Sequence, residues 1–126
     1  MRQLVSDRRY QVRLALMHDK QRRGERDGKR FLCEGQNYFP HECDSDVEMN
    51  EVLVTRRVFQ KLALPDQVYF YDVLNCSLNC QGFHTRHGHT RGHRKWFEAE
   101  MRSIYGSKRV DDWIKNMPLK LRRLGA

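Results

Sequence analysis

Nineteen residues, Asn75 to His93, read NCSLNCQGFHTRHGHTRGH and constrain this chain more than any other stretch. They place Asn75, two cysteines and four histidines (His84, His87, His89, His93) beside a strongly basic helical pattern. Imidazoles and side-chain amides crowded in this way suit a divalent metal working on phosphate. A partner segment that completes such a site must come from elsewhere in the chain, and Glu48-Met49-Asn50-Glu51-Val52 is the stretch with the right residue types.

The 126 residues suit one domain, able to bury roughly two thirds of its unfolded surface around a small core. No run of about 18 apolar residues and no signal-peptide pattern is present, so the expectation is a soluble, intracellular protein with no membrane partner. The net charge of +8 is unevenly spread. Residues 1–31 carry ten Lys/Arg against four acids, residues 34–51 carry six acids and no Lys or Arg, and residues 84–109 carry seven Lys/Arg against two acids. Basic flanks around an acidic island fit a surface that tracks phosphates with a cation site set into it. The plainer alternative is ordinary solvated charge. Cys33, Cys43, Cys76 and Cys80 contain no C-x-x-C pair, and in an unsecreted chain reduced thiols or a metal site are expected over disulfides.

The pattern predicts a helix over residues 3–23, with Leu4, Val5, Val12, Leu14, Leu16 and Met17 as its apolar positions and arginines elsewhere. Gly24 to Gly28 reads as a loop, and residues 31–47 as irregular. A strand is expected from about 50 to 55, a short helix from Arg57 to Leu62, strand or extended loop at Val68–Tyr71, and a second strand from Asn75 to Cys80. A helix then runs from Thr85 or Thr90 to Tyr105, with Gly106 as its C-cap, and a last one from Ser107 to Pro118. The fold class is therefore α+β. The single domain divides into a basic helical arm (1–30), a core (31–95), C-terminal helices (96–118) and a basic tail (119–126).

The motifs E-M-N-E-V (48–52), N-C-S-L-N-C-Q-G-F-H (75–84) and G-H-T-R (88–91) together resemble the HNH (ββα-metal) endonuclease family, in the short form common in bacteriophage genomes. The most specific part is an Asn nine residues before a His, with a Cys five residues after that Asn. The resemblance covers roughly residues 30–118. It implies a small ββα-metal core, a DNA substrate (RNA being the alternative), one divalent ion (Mg, Mn, Ni or Zn), and, for a phage protein, residence in the host cytoplasm. Asn75 would fix the loop or help hold the metal, His84 would ligate it, and His89 would be a further ligand or a phosphate contact. Asn50-Glu51 falls where the family carries a ligand followed by the base that activates water. Asn50 offers only a neutral amide oxygen there, with Glu48 as a compensating hard ligand, and Glu51 is a weaker base than histidine.

Arg86, Arg91, Arg94 and Lys95 near this site, with Arg8, Arg9 and Arg13 of the arm, are the candidates for contact with the nucleic-acid backbone. His87 and His93 are expected to contact phosphate, and His41 to be merely exposed. Family members that bind structural zinc use two C-x-x-C pairs. Here those positions read Cys33-x-x-Gln36 and Cys80-x-x-Phe83, so a complete four-cysteine zinc site is not expected. Cys33, Cys43 and Cys80 with one histidine remain an alternative zinc set, against the reading of these cysteines as buried small hydrophobes. Because of Asn50, two functions are carried forward: a metal-dependent endonuclease, and a related protein that binds nucleic acid or a protein partner without cutting.

Overall fold

A computed structural model describes residues 2–19, 33–43 and 45–119. The predicted loop at 24–28, the end of the first helix and nearly all of the basic tail lie outside these residues. Among the described residues the chain is mixed α+β. Six helices, α1 (Arg2–His18), α2 (Arg56–Phe59), α3 (Leu64–Gln67), α4 (Gln81–Arg86), α5 (Arg91–Tyr105) and α6 (Ser107–Asn116), surround a two-stranded antiparallel sheet. Its strands are β1 (Val47–Glu51) and β2 (Cys76–Cys80).

The strands pair with Val47 opposite Cys80 and Glu51 opposite Cys76, so the side chains alternate between two faces. One face carries Glu48, Asn50, Ser77 and Asn79, and the other carries Val47, Met49, Glu51, Cys76, Leu78 and Cys80. Every residue of β2 is buried, its polar ones included. Burial of Ser77 and Asn79 is tolerated because Asn79 Nδ2 donates to Ser77 Oγ at 3.3 Å and Asn79 Oδ1 accepts from Asn50 Nδ2 at 3.0 Å. A two-stranded sheet has two open edges. Arg13 Nη2 donates to the Val47 carbonyl at 3.3 Å, and the Leu78 N–H donates to Glu34 Oε2 at 2.5 Å.

The first strand departs from expectation. Val52, Leu53 and Val54 are apolar and almost fully buried, yet they form a loop after β1 ends at Glu51. The cause is Asn75. Its Oδ1 accepts from the N–H groups of Leu53 (2.9 Å) and Val54 (2.8 Å), and its Nδ2 donates to the carbonyls of Val54 (2.9 Å) and Phe70 (3.0 Å). One amide therefore satisfies four backbone groups that a strand partner would otherwise have taken. Val68–Phe70 is likewise not extended; it is one turn of 3-10 helix that stacks Phe70 on Phe59 with ring centroids 5.0 Å apart.

The helix expected from Thr85 or Thr90 to Tyr105 takes the second start, and a separate short helix, α4, precedes it. Cys80, in extended conformation, starts α4, which stops at Arg86. Thr90 starts α5 by accepting the His93 N–H on Oγ1 at 3.2 Å. A division of the chain at residue 95/96 would thus cut α5. Between the helices Gly88 lies so close to β1 that a Cβ there would sit 2.7 Å from Asn50 Nδ2. Gly106, with φ of 95°, lets α6 fold back on α5. Phe97 and Met101 of α5 and Val110 and Trp113 of α6 complete the core, while Trp96 and Tyr105 pack at its margin.

α1 is docked, with Val12 and Leu16 buried, Arg8 Nε donating to the Tyr71 carbonyl at 2.8 Å, and the Tyr105 hydroxyl meeting Asp19 at 2.9 Å. Among the described residues no helix is long and apolar enough to cross a membrane.

Candidate functional site

Two clusters of ligand-type side chains lie on either side of the β2–α4 junction. The first is formed by Glu48 of β1, His84 of α4 and His89 of the 87–90 turn. His84 Nδ1 is 2.7 Å from Glu48 Oε1, and His84 Nε2 is 3.0 Å from His89 Nε2. A carboxylate can only accept, so the proton of a neutral His84 sits on Nδ1 and the Nε2 lone pair faces His89. Burial is the main influence pushing the His89 pKa below its ordinary value, followed by the neighbouring His84. Both effects favour a neutral, ligand-competent imidazole at His89.

Asn50 lies under the same turn. It is 0% exposed, and its Nδ2 donates to Asn79 Oδ1 and to the Gly88 carbonyl (3.1 Å). With both acceptors on Nδ2 the orientation of the amide is set, and the buried Oδ1 has no hydrogen-bond partner among the described residues. Among the described residues the side chain of Asn75, the other amide singled out in the sequence, makes the four bonds to backbone groups described above and no others. Its place is structural.

Glu51 is buried and ion-paired through Oε1 with Arg56 Nη2 at 3.3 Å. Both line a cavity of about 830 Å³. Arg9, Tyr10 and Arg13 of α1 form one wall, and Glu48, Met49, Glu51, Thr55, Arg56 and Arg57 form much of the other, with His84 and His89 also in the lining. Three of the arginines expected at the surface lie here or beside it: Arg9 and Arg13 line the cavity, and Arg8 is tied to Tyr71 and Asp72. Arg86, Arg91, Arg94 and Lys95 do not line it; Arg94 Nη1 donates to the His89 carbonyl at 2.7 Å and so braces the turn. Arg56 and Arg57 were not singled out in the sequence, where Arg57 only opens a short helix expected from Arg57 to Leu62.

His93 corrects the expectation of a phosphate contact. It is 0% exposed, with Nδ1 3.0 Å from the Gly88 carbonyl, and burial pushes its pKa down to about 4. His87 packs edge-on against Phe39 with centroids 4.7 Å apart.

The second cluster is Cys33, His41, Cys43 and Cys80, whose ligand atoms all lie within 4.8 Å of one another. His41 Nε2 is 3.6, 3.7 and 3.5 Å from the Sγ atoms of Cys33, Cys43 and Cys80. A tetrahedral ion with bonds of about 2.3 Å to sulfur and about 2.0 Å to nitrogen spaces such atoms about 3.6 Å apart. The surroundings match. His41 Nδ1 is 3.0 Å from the Phe39 carbonyl, which orients the ring to present Nε2. The Cys80 N–H donates to Cys33 Sγ at 3.2 Å and Gln36 Nε2 to Cys43 Sγ at 3.2 Å. Burial pushes the Cys33 thiol up to about 12 and raises that of Cys43, so thiolates here need a cation beside them. This cluster could hold a metal ion. His41, expected to be a bystander, is its fourth member. Its H-x-C spacing to Cys43 was the available signal, and it is not one of the usual zinc spacings.

No protein-family model, no curated protein and no solved structure matches this chain.

Proposed function

We propose that this protein is a metal-dependent endonuclease of the HNH (ββα-metal) type, hydrolysing phosphodiester bonds of nucleic acid, with DNA as the expected substrate. The reading rests above all on the two imidazole nitrogens, His84 Nε2 and His89 Nε2, that face each other 3.0 Å apart at the arginine-lined cavity. Two nitrogens each about 2.1 Å from one ion at right angles are about 3.0 Å apart, so the pair fits an octahedral Mg²⁺-, Mn²⁺- or Ni²⁺-like ion. The order β1, connection, β2, α4, with the histidine on the helix, is consistent with a ββα-metal core.

Glu48 reaches His84 on the ring nitrogen turned away from His89, so its role is to orient that ligand. The unpartnered Oδ1 makes Asn50 the candidate third ligand. A bound divalent ion would supply Lewis-acid stabilisation of the phosphate and of the leaving oxygen. Glu51 accepts the proton of the attacking water, and Arg56 holds its carboxylate in place. Arg9, Arg13 and Arg57 neutralise the phosphate backbone. The Cys33, His41, Cys43, Cys80 cluster binds zinc in a structural role in this reading.

One observation favours the alternative, a nucleic-acid-binding protein without hydrolytic activity. An amide tied to Asn79 and Gly88 occupies the position where an imidazole or carboxylate would bind an ion more strongly. The test incubates supercoiled plasmid with the protein and Mg²⁺, Mn²⁺ or Ni²⁺, beside His84→Ala and Glu51→Gln. The expected result is nicking by the parent chain that both variants lose. Equal nicking by parent and His84→Ala overturns the site. Absence of nicking by all three, with salt-sensitive DNA binding retained, establishes the binding protein instead.

A further inference from the structure

α1 contributes no strand to the sheet and no member to the histidine pair, yet its residues line the cavity beside them. Arg9, Tyr10 and Arg13 of α1 share the lining with Arg56 and Arg57. The helix is built into the fold, since Arg8 and Arg13 donate to the carbonyls of Tyr71 and Val47 and Val12 and Leu16 are core residues. Its cavity-lining surface is unusual for a docked helix. Tyr10 is 63% exposed, so an aromatic ring stands beside the arginines of the lining instead of in the core.

The charges at the cavity are unbalanced. Of its two carboxylates, Glu48 is engaged by His84 and Glu51 by Arg56, which leaves Arg9, Arg13 and Arg57 without a carboxylate of the lining. Arg9 Nε is buried and has no hydrogen-bond partner among the described residues, while its guanidinium lies 5.7 Å from the Tyr71 ring centroid. The surplus of guanidinium charge that Arg9, Arg13 and Arg57 bring to the lining suits an anionic ligand.

A backbone-neutralising groove with a free aromatic face is the arrangement that holds unpaired nucleic acid, because a base stacks on the ring while phosphates meet the cations. A base pair inside a duplex has both faces covered by its neighbours and cannot offer one to Tyr10. A cavity of about 830 Å³ is also of the size that encloses a small ligand, whereas duplex DNA is read by an element projecting into its grooves.

We propose that α1 converts the site into a channel for a single strand of nucleic acid, with Tyr10 stacking on one unpaired base and Arg9, Arg13 and Arg57 carrying its phosphates. The substrate class is then a single-stranded or locally unpaired segment in preference to continuous duplex. This deepens the nuclease reading and rests on it for the site, but not for the binding measurement.

The test is fluorescence anisotropy without added divalent ion, using a fluorescein-labelled oligothymidylate, its ribose counterpart oligouridylate, and a duplex of the same length at one salt concentration. We expect at least one single strand to bind roughly tenfold or more tightly than the duplex. Tyr10→Ala should weaken single-strand binding roughly 10- to 100-fold, Tyr10→Phe should restore it, and duplex binding should be unchanged in both. Because Tyr10 is exposed, Tyr10→Ala is expected to fold normally, which circular dichroism checks. Tighter binding of duplex, or an unchanged Tyr10→Ala, overturns the channel. If duplex is preferred while His84→Ala abolishes nicking, the channel fails and the nuclease stands. If the strand preference holds without any nicking, the nuclease fails and the channel stands.

Discussion

Asn50 shows how one side chain can join a fold to a site. Its Nδ2 is held by Asn79 of the neighbouring strand and by the Gly88 carbonyl of the turn that carries His89, so the amide nitrogen serves structure. Its Oδ1 is buried and without a hydrogen-bond partner among the described residues, and in the proposed nuclease it is the third ligand of the ion. Replacing the amide by a carboxylate separates the two roles. Asn50→Asp keeps the shape, removes both donated bonds and sets a negative charge against two acceptors, which costs on the order of 3 kcal/mol in the metal-free protein. The same charge strengthens the ion site. The melting temperature of Asn50→Asp is therefore expected to fall without added metal and to rise more steeply than the parent's when Mn²⁺ is titrated in, because only the native state binds the ion. Thermal denaturation across a Mn²⁺ series measures this. A variant whose melting temperature responds to Mn²⁺ no more than the parent's removes Asn50 from the ligand set.

At the scale of elements, α5 is anchored at its start by a histidine that titrates. His93 is 0% exposed, and its pKa is pushed down to about 4 from an ordinary value of 6.5 by burial. In the unfolded chain the ring is charged below pH 6.5, and in the folded chain it stays neutral to about pH 4, so the unfolded state binds more protons across that window. The stabilisation is fully present above pH 6.5, declines by roughly 1.4 kcal/mol per pH unit as pH falls, and is lost once pH passes below 4. Urea unfolding of the parent and of His93→Phe should show the parent losing about 2 kcal/mol more than the variant between pH 7 and pH 5. Parallel pH profiles would show that His93 does not control the acid limb. This element also shows what the sequence could disclose. The apolar spacing of Phe97, Met101, Ile104 and Tyr105 made the body of α5 legible, as did Gly106 at its end, because helix period and caps are local properties. The early stop of α4 at Arg86 was not legible, since it depends on Gly88 meeting Asn50 from 38 residues away. The β1 boundary failed for the same kind of reason. Val52 to Val54 carry strand-type residues, and a distant amide, Asn75, takes their backbone bonds. Within the site, His84 and His89 could be found from spacing, whereas Glu48 as the partner of His84, Arg56 as the partner of Glu51, and His41 among the cysteines required the fold.

At the scale of the whole molecule, a two-stranded sheet gives α4 little to rest on, and the Cys33–His41–Cys43–Cys80 cluster supplies what the sheet lacks. Cys80 ends β2 and immediately precedes α4, while Cys33, His41 and Cys43 bring the 33–43 segment against that junction. An ion there ties two distant parts of the chain together next to the helix that positions His84. Without it, three thiols, two of them driven away from ionisation, and one imidazole are packed together with little mutual stabilisation. The binding free energy of a structural zinc is folding free energy. Zinc chelation is therefore expected to lower the melting temperature by on the order of 10 °C or more, and Mg²⁺, which prefers oxygen ligands, should not reverse the loss. Cys43→Ser, at the most exposed of the three sulfurs, should reproduce part of the effect with little disturbance of the apolar core. Metal analysis of the purified protein should return one zinc per chain, falling in Cys43→Ser. Nicking, where present, should fall with zinc loss even when Mn²⁺ is abundant, since the ion site proposed at His84 would depend on α4 being held. A chain that purifies without zinc and melts at the same temperature with and without chelator would leave these residues as a packed thiol cluster, with α4 positioned by the burial of Phe83, the His84–Glu48 and Gln81–Ser45 bonds and the Asn50–Gly88 contact.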